Sequence, residues 1–257
     1  MNRKYYLSIA AILLAPSLVF GNPAKKGYDI AVKVSKANDG FKGEQSTMQM
    51  ILINAYGDKI VRKMTSKTKE MSSDGDKSII EFVSPADVRK TRLLTWAHKK
   101  KDDSQWLYLP KSKKIKRISS RSKSGAFMGS EFSYEDLGSQ EVEKFKHKFI
   151  KDGKFKGRDV WITERVPVDP ESGYSKQVSI VDKKMLVALK IEYYDRKGEL
   201  LKIGTFGKFK KYGKYWRAGT LRMKNIQTKK ESVLIWKNRI MNKSFSDAEF
   251  TSAKLTK

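Results

Sequence analysis

The sequence predicts a mainly β (α+β) protein, a curved antiparallel sheet or barrel of about eleven short strands. Three observations carry the prediction. Apolar residues alternate with a period of two through most of the chain. Turn clusters such as AYGDK, SSDGDK, DPESG and DRKG recur at close spacing. Only Lys25–Asn38 has a substantial helical pattern, so the alternation of strands and long helices that marks a βαβ fold is missing.

The elements follow in order. In Lys25–Asn38, Tyr28, Ala31 and Val32 recur near helical spacing, and Asn38, Asp39 and Gly40 supply a stop. Ser46–Asn54 is a strand with Met48, Met50 and Leu52 on one face and Thr47, Gln49, Ile51 and Ile53 on the other. Ile60–Glu70 returns as a polar strand after the Ala55–Lys59 turn. Ser78–Val83 follows the Ser72–Lys77 turn and stops at Ser84 and Pro85. Arg92–His98 carries Leu94 and Trp96 on one face, and Gln105–Leu109 carries Trp106 and Tyr108. Lys114–Ser119 makes a short strand before a Gly- and Ser-containing loop, Ser122–Leu137, and a short helix near Tyr134–Gln140. Ser133 and Asp136 are spaced as a capping box. Strands resume at Glu143–Lys151, Val160–Val166, Gln177–Val181, Val187–Tyr194, Leu200–Lys210, Tyr215–Asn225 and Glu231–Asn242, and Asp247–Phe250 reads as one helical turn.

The 257 residues are 39% hydrophobic, 11% aromatic and 32% charged, with mean hydropathy −0.60, which supports a sizeable core and excludes collagen-like or disordered classes. Met1–Gly21 has a basic start at Arg3 and Lys4, a short apolar run at Leu7–Leu14, and small residues Val19 and Gly21 before the expected cut. It reads as a secretory signal peptide, which places the remainder in the periplasm. The chain has no Cys, which removes both disulfides and the acylated Cys of a lipoprotein. The net charge of +27 has two readings: plain solubility, or transient contact with an anionic membrane surface. In an exported chain, nucleic acid is not the expected partner.

A catalytic constellation is not found. The two His residues, His98 and His147, stand among lysines and are expected to be exposed. They are too few for a zinc site or a Ser-His-Asp triad. Asp74, Gly75 and Asp76 lack the later ligands of a calcium loop and read as a hairpin turn. The sequence therefore predicts no enzyme, no metal and no cofactor.

The strands carry more large apolar side chains than one helix can cover. Met48, Met50, Leu52, Leu94, Trp96, Trp106, Tyr108, Leu189, Ile191 and Tyr193 are the candidate lining of a hydrophobic cavity. Met suits a wall that accepts varied apolar guests. In the Ser122–Leu137 loop, Phe127, Met128, Phe132 and Tyr134 have two readings: a lid over the cavity mouth, or a loop packed down as core.

Asp102–Pro110 (DDSQWLYLP), Lys114–Ser119 (KIKRIS) and Ser122–Leu137, with the Tyr215–Trp216 strand and the closing FSDAEFTSAKL, resemble the outer-membrane lipoprotein-sorting protein family, whose members are similar to the periplasmic carrier LolA. The resemblance covers residues 22–257 as one domain. It implies a half-open antiparallel barrel with short helices over its concave face, binding acyl chains of lipids or lipoproteins without catalysis. It also implies work beside an inner-membrane transporter; separately, a monomer is expected. The same fold admits a second role, a lipid or lipoprotein sensor in an envelope stress response.

Overall fold

The computed structural model describes residues 22–138 and 140–256, so the expected signal peptide lies outside the described residues. One helix, α1 (Pro23–Asn38), precedes β1 (Gly43–Ile53), β2 (Lys59–Lys69), β3 (Lys77–Ser84), β4 (Arg92–Trp96), β5 (Ser104–Leu109) and β6 (Lys114–Ile118). The Ser122–Leu137 loop follows. After it come β7 (Phe145–Phe155), β8 (Arg158–Pro167), β9 (Tyr174–Asp182), β10 (Val187–Asp195) and β11 (Leu200–Gly207). The last strands are β12 (Lys210–Tyr212), β13 (Tyr215–Arg217), β14 (Thr220–Asn225) and β15 (Glu231–Met241).

Thirteen strands form one curved antiparallel sheet in the order β6-β5-β4-β3-β2-β1-β15-β14-β11-β10-β9-β8-β7, and it does not close into a barrel. Adjacent strands are joined mostly by short turns. The chain's first and last long strands, β1 and β15, pair in the middle of the sheet. Two expected strands are each divided. Leu200–Lys210 breaks at Lys208, whose φ of 51° takes the chain out of the ladder, and Tyr215–Asn225 breaks where Gly219 returns hydrogen bonds to Gly207 and Lys208. The segments between the breaks make the separate β12–β13 hairpin. A Cβ on Gly219 would lie 2.7 Å from the Lys208 carbonyl oxygen, so only glycine fits that crossing.

Both sheet edges are protected. β6 exposes Lys114, Lys116 and Arg117, charges that discourage pairing with another chain. β7 is covered by α1, which starts at Pro23 with Asn22 as N-cap, its side-chain oxygen accepting from the amides of Ala24 and Lys25. The expected helix face is corrected here. Gly27 and Ile30 are buried while Tyr28 is 47% exposed, because the helix rolls to bring Gly27 against β7. A Cβ at Gly27 would stand 2.5 Å from the Lys148 carbonyl carbon.

Alternation along the strands gives the sheet two distinct faces. The inner face carries Met48, Met50, Met64, Phe82, Leu93, Leu107, Met223 and Leu234, packed with Phe127 and Phe132 of the loop. The outer face carries Leu94, Trp96, Trp106 and Tyr108, covered by Phe245, Phe250 and Leu255 of the C-terminal segment. There Trp96 Nε1 donates to the Phe250 carbonyl at 2.6 Å and Arg92 to the Leu255 carbonyl at 2.8 Å. Asp247–Phe250 is the expected helical turn, with a capping box between Ser246 and Glu249.

Gly27→Ala tests the helix docking. Alanine favours a helix interior by about 0.5–1 kcal/mol over glycine, so an isolated helix would gain. Here the added methyl meets backbone, and the variant is expected to unfold at lower urea than the parent. A higher midpoint would show that α1 does not depend on that approach.

Candidate functional site

The inner face is filled in two ways. Over its centre lies the Ser122–Leu137 loop, and beside the loop, under α1, lies an open cavity. The loop closes on itself first. Ala126 bridges Ser133, the Phe127 amide donates to the Phe132 carbonyl at 2.7 Å, and Met128 and Gly129 turn the tip at positive φ. Ser133 and Asp136 form the reciprocal cap expected from their spacing. The Asp136 carboxylate accepts from the Ser133 amide at 2.7 Å, and Ser133 Oγ from the Asp136 amide at 3.2 Å. The helix expected there is a single 3-10 turn, Glu135–Leu137.

Six strands then hold this loop by polar groups. Arg62 of β2 donates to the Met128 carbonyl, and Gln105 of β5 to the Tyr134 carbonyl at 3.1 Å. Tyr174 of β9 donates to Asp136 at 2.7 Å. Lys202 of β11 pairs with Asp136 at 2.6 Å and donates to the Glu131 carbonyl at 2.9 Å. Asn225 of β14 donates to the Glu131 carboxylate at 2.8 Å, and Ser232 Oγ of β15 accepts from the Glu131 amide at 3.0 Å. The side chains of Lys202 and Asp136 are each 5% exposed, so this is a buried ion pair with its remaining valences filled. Burial and the neighbouring Asp136 push the Tyr174 phenol well above its ordinary pKa, which keeps it a donor.

Phe127 and Phe132 are 0% and 1% exposed, and Phe127 packs edge-on to Tyr134 and tilted against Phe82 with centroids 5.6 and 5.7 Å apart. In this state the loop completes the core.

The cavity has a volume of about 1200 Å³. Its apolar walls are Ile30, Ala31 and Val34 from α1 and Val181, Ala188 and Ile191 from the sheet. Arg165, Thr163, Ser179 and His147 add polar wall on the side toward the loop. A smaller cavity of about 290 Å³ lies where the β4–β5 turn approaches β7–β9, lined by Lys99, Lys123, Tyr134 and Lys144 among others.

The candidate lining residues therefore separate. Of these, Ile191 faces the large cavity. Met48, Met50, Leu52, Phe127, Met128, Phe132, Tyr134 and Tyr193 belong to the inner-face core around the loop. Leu94, Trp96, Trp106 and Tyr108 lie on the opposite face, because Leu93, Thr95, Gln105 and Leu107 take the inward positions of β4 and β5. Leu189 falls at a register shift and joins Val160 and Met185 in a separate cluster. The polar residues that hold the loop and face the cavity are absent from the candidate set. Their signal is a polar residue at an inward position of an alternating strand, such as Lys202 two residues from Gly204.

Neither His is exposed filler. His98 Nδ1 meets Asp74 at 2.6 Å, which holds that carboxylate well below the usual range, and His147 donates from Nε2 to the Val142 carbonyl at 2.9 Å. Among the described residues no group of three His, Cys, Asp or Glu is arranged to hold a metal ion, and no helix is long and apolar enough to cross a membrane.

Comparison with known proteins gives the following. A family model described as "Uncharacterized protein" matches residues 74–257. The chain is 45% identical to an outer membrane lipoprotein-sorting protein domain from Vibrio parahaemolyticus, covering 91% of this chain and 100% of that one with a TM-score of 0.89. It is 32% identical to a DUF1329 family protein from Desulfovibrio piger, again over 91% of this chain and 100% of that one, at a TM-score of 0.87. A LolA superfamily protein from Nitrosomonas europaea has the same fold at 16% identity and a TM-score of 0.72, over 89% of this chain and 98% of that one. No curated protein matches.

Two predictions come from this geometry. Lys202→Met leaves the Asp136 carboxylate buried and unpaired, and is expected to cost about 3–5 kcal/mol in urea unfolding. Adding Asp136→Asn to it should cost less than the two single losses together. Full additivity would show that the two groups do not act as a pair. The second prediction concerns Asp76, whose carboxyl burial raises from 3.8 to about 6. The folded chain then binds that proton more tightly than the unfolded chain, so stability falls as pH rises through this window. Asp76→Asn keeps an oxygen for the Met71 amide, which Asp76 accepts at 3.1 Å. It should gain stability over the parent at neutral pH and none in acid; an equal gain at both would remove Asp76 as the cause.

Proposed function

This chain belongs to the DUF1329 family, and from that premise we propose that it is a non-catalytic carrier of acyl chains, from lipids or lipoproteins, moving them between inner and outer membranes. One observation carries the reading. Ligand sites are clefts or cavities with mostly apolar walls and a few placed polar groups. Here a cavity of about 1200 Å³ stands open between α1 and the inner face of the sheet. Small-molecule pockets run to roughly 1,000 Å³. The similarity to an outer membrane lipoprotein-sorting protein domain supports the same assignment.

Affinity would come from area. Each methylene buried contributes about 0.8 kcal/mol, so a chain of a dozen carbons binds with few polar contacts. The guest would lie along Ala31 and Val34 of α1 and against Val181, Ala188 and Ile191. The loop forms the neighbouring wall, with Phe127, Met128 and Phe132 as the apolar groups that a longer guest displaces. Moving it would separate the Lys202–Asp136 pair, so a guest that enters without moving it binds at lower cost. Read as a signal peptide, Met1–Gly21 supports a periplasmic site for this activity, and the +27 charge favours approach to anionic membrane surfaces and to a membrane-bound transporter.

The test is occupancy. Ala31→Trp fills the cavity from the helix side, away from the core of the sheet. The parent is expected to take up 11-(dansylamino)undecanoic acid with a rise in fluorescence, and the variant to bind it at least about tenfold more weakly, the loss of a few buried methylenes. Equal binding by both would place the acyl chain elsewhere, and no binding by the parent would end the carrier reading.

A further inference from the structure

We propose that Arg165 anchors the anionic headgroup of an amphiphile, a carboxylate or a phosphate, whose acyl chain runs along α1 toward Val181 and Ala188. The proposal rests on the acyl-binding reading and names the class of ligand.

Strand register sets the direction. On the inner face, Trp161 of β8 aligns with Val181 of β9, which aligns with Ala188 of β10. Two residues along, Thr163 aligns with Ser179 and Ile191. Two further, His147 aligns with Arg165, Gln177, Tyr193 and Lys202. From Trp161 to Arg165 is about 13 Å at the rise of a β-strand. The wall is apolar at one end and polar at the other, which is the form of an amphiphile.

Arg62 and Arg196 also donate only to neutral groups, but Arg165 is the arginine that lines the large cavity. Its Nε and Nη2 donate to the Gln177 side-chain oxygen at 2.9 and 2.6 Å, and Nη2 donates to the Gln140 side-chain oxygen at 2.6 Å. Phe145 stacks on it at 4.2 Å. All of these are neutral. Among the described residues no carboxylate lies within ion-pair distance of it, whereas Arg92 pairs with Glu81, and Arg217 and Arg239 pair with Glu44. Asp136, the carboxylate that neutralises this part of the sheet, is held by Lys202 and Tyr174. Glu141 and Glu143 also face the cavity but make no ion pair with Arg165. His147 beside it is turned to the Val142 carbonyl. Two amide oxygens and a ring fix this guanidinium and take three of its five N–H donors, which leaves the two on Nη1, held in a set direction, for an anion. Burial pushes its pKa down, a desolvation that a bound anion would relieve.

The test compares dodecanoate, methyl dodecanoate, acetate and inorganic phosphate by titration calorimetry on the purified protein and on Arg165→Gln. The parent is expected to bind dodecanoate about tenfold or more tightly than the ester, the scale of one charge-assisted contact. Arg165→Gln should bring the two lipids to near parity and leave the ester unchanged. Arg165→Lys, which keeps the charge without the fixed Nη1 donors, should restore part of the preference, and it carries the test if the Gln variant does not fold. Equal affinities in the parent, or a preference that survives Arg165→Gln, would overturn the anchor while the carrier reading stands. Acetate or phosphate binding as tightly as dodecanoate would overturn the amphiphile in favour of a small free anion. Failure of both lipids to bind the parent would overturn both readings.

Discussion

The buried ion pair between Lys202 and Asp136 ties the middle of the sheet to the loop that covers it, and the rest of the inner face is arranged around that tie. A thirteen-stranded sheet has more apolar inner surface than one helix of 16 residues can shield. The loop supplies the missing cover with Phe127 and Phe132. A loop, however, carries backbone groups that need partners wherever water is excluded. Arg62, Gln105, Ser232 and Lys202 provide them, Asn225 donates to the Glu131 carboxylate, and Lys202 also neutralises Asp136, one of the three carboxylates that the loop brings in. The polar residues on an otherwise apolar face are therefore the condition for burying this loop.

That arrangement divides the inner face. One part is dry, closed and held from six strands. The other, between α1 and β8–β10, is left open because the helix stands on the β7 edge, fixed there by the contact of Gly27 with Lys148. Its C-terminal end is held at the other side, where Arg217 of the β12–β13 hairpin donates to Asn38 at 2.6 Å and pairs with Glu44. The helix is thus supported at both ends and bridges the space beneath it. A rigid roof of this kind explains how a cavity persists in a chain that has no disulfide to brace it.

The polar row through His147, Arg165, Gln177, Tyr193 and Lys202 serves both halves. At Lys202 it is neutralised by the loop, and at Arg165 it meets the cavity with its charge unpaired by any carboxylate. The difference follows from where the loop ends. Its last turn, Glu135–Leu137, reaches Lys202 and Tyr174, and the Glu135 carboxylate is taken by Ser172 and the Gly173 amide. The positive charge at Arg165 is then a consequence of topology, and the surface lysines that dominate the composition are a separate matter.

The sequence by itself determined the class of fold, most strand positions, the Ser133–Asp136 cap and the C-terminal helical turn, because period-two alternation, turn residues and short-range side-chain caps are local properties. It also marked the loop as unusual through Phe127 and Phe132. It did not determine which candidates share a wall. Leu94, Trp96, Trp106 and Tyr108 read like Met48 and Met50 in their own strands, but a strand's alternation says only that neighbours face opposite ways. Which way is inward is decided by the neighbouring strands' register and by what covers each face. The C-terminal segment covers one and the loop the other, across separations of more than a hundred residues in the case of Trp96 and Phe250. Arg165 and Lys202 were two cations among 55. Only the tertiary structure distinguishes them, because burial and the position of a single carboxylate, rather than residue type, decide which charge is paired.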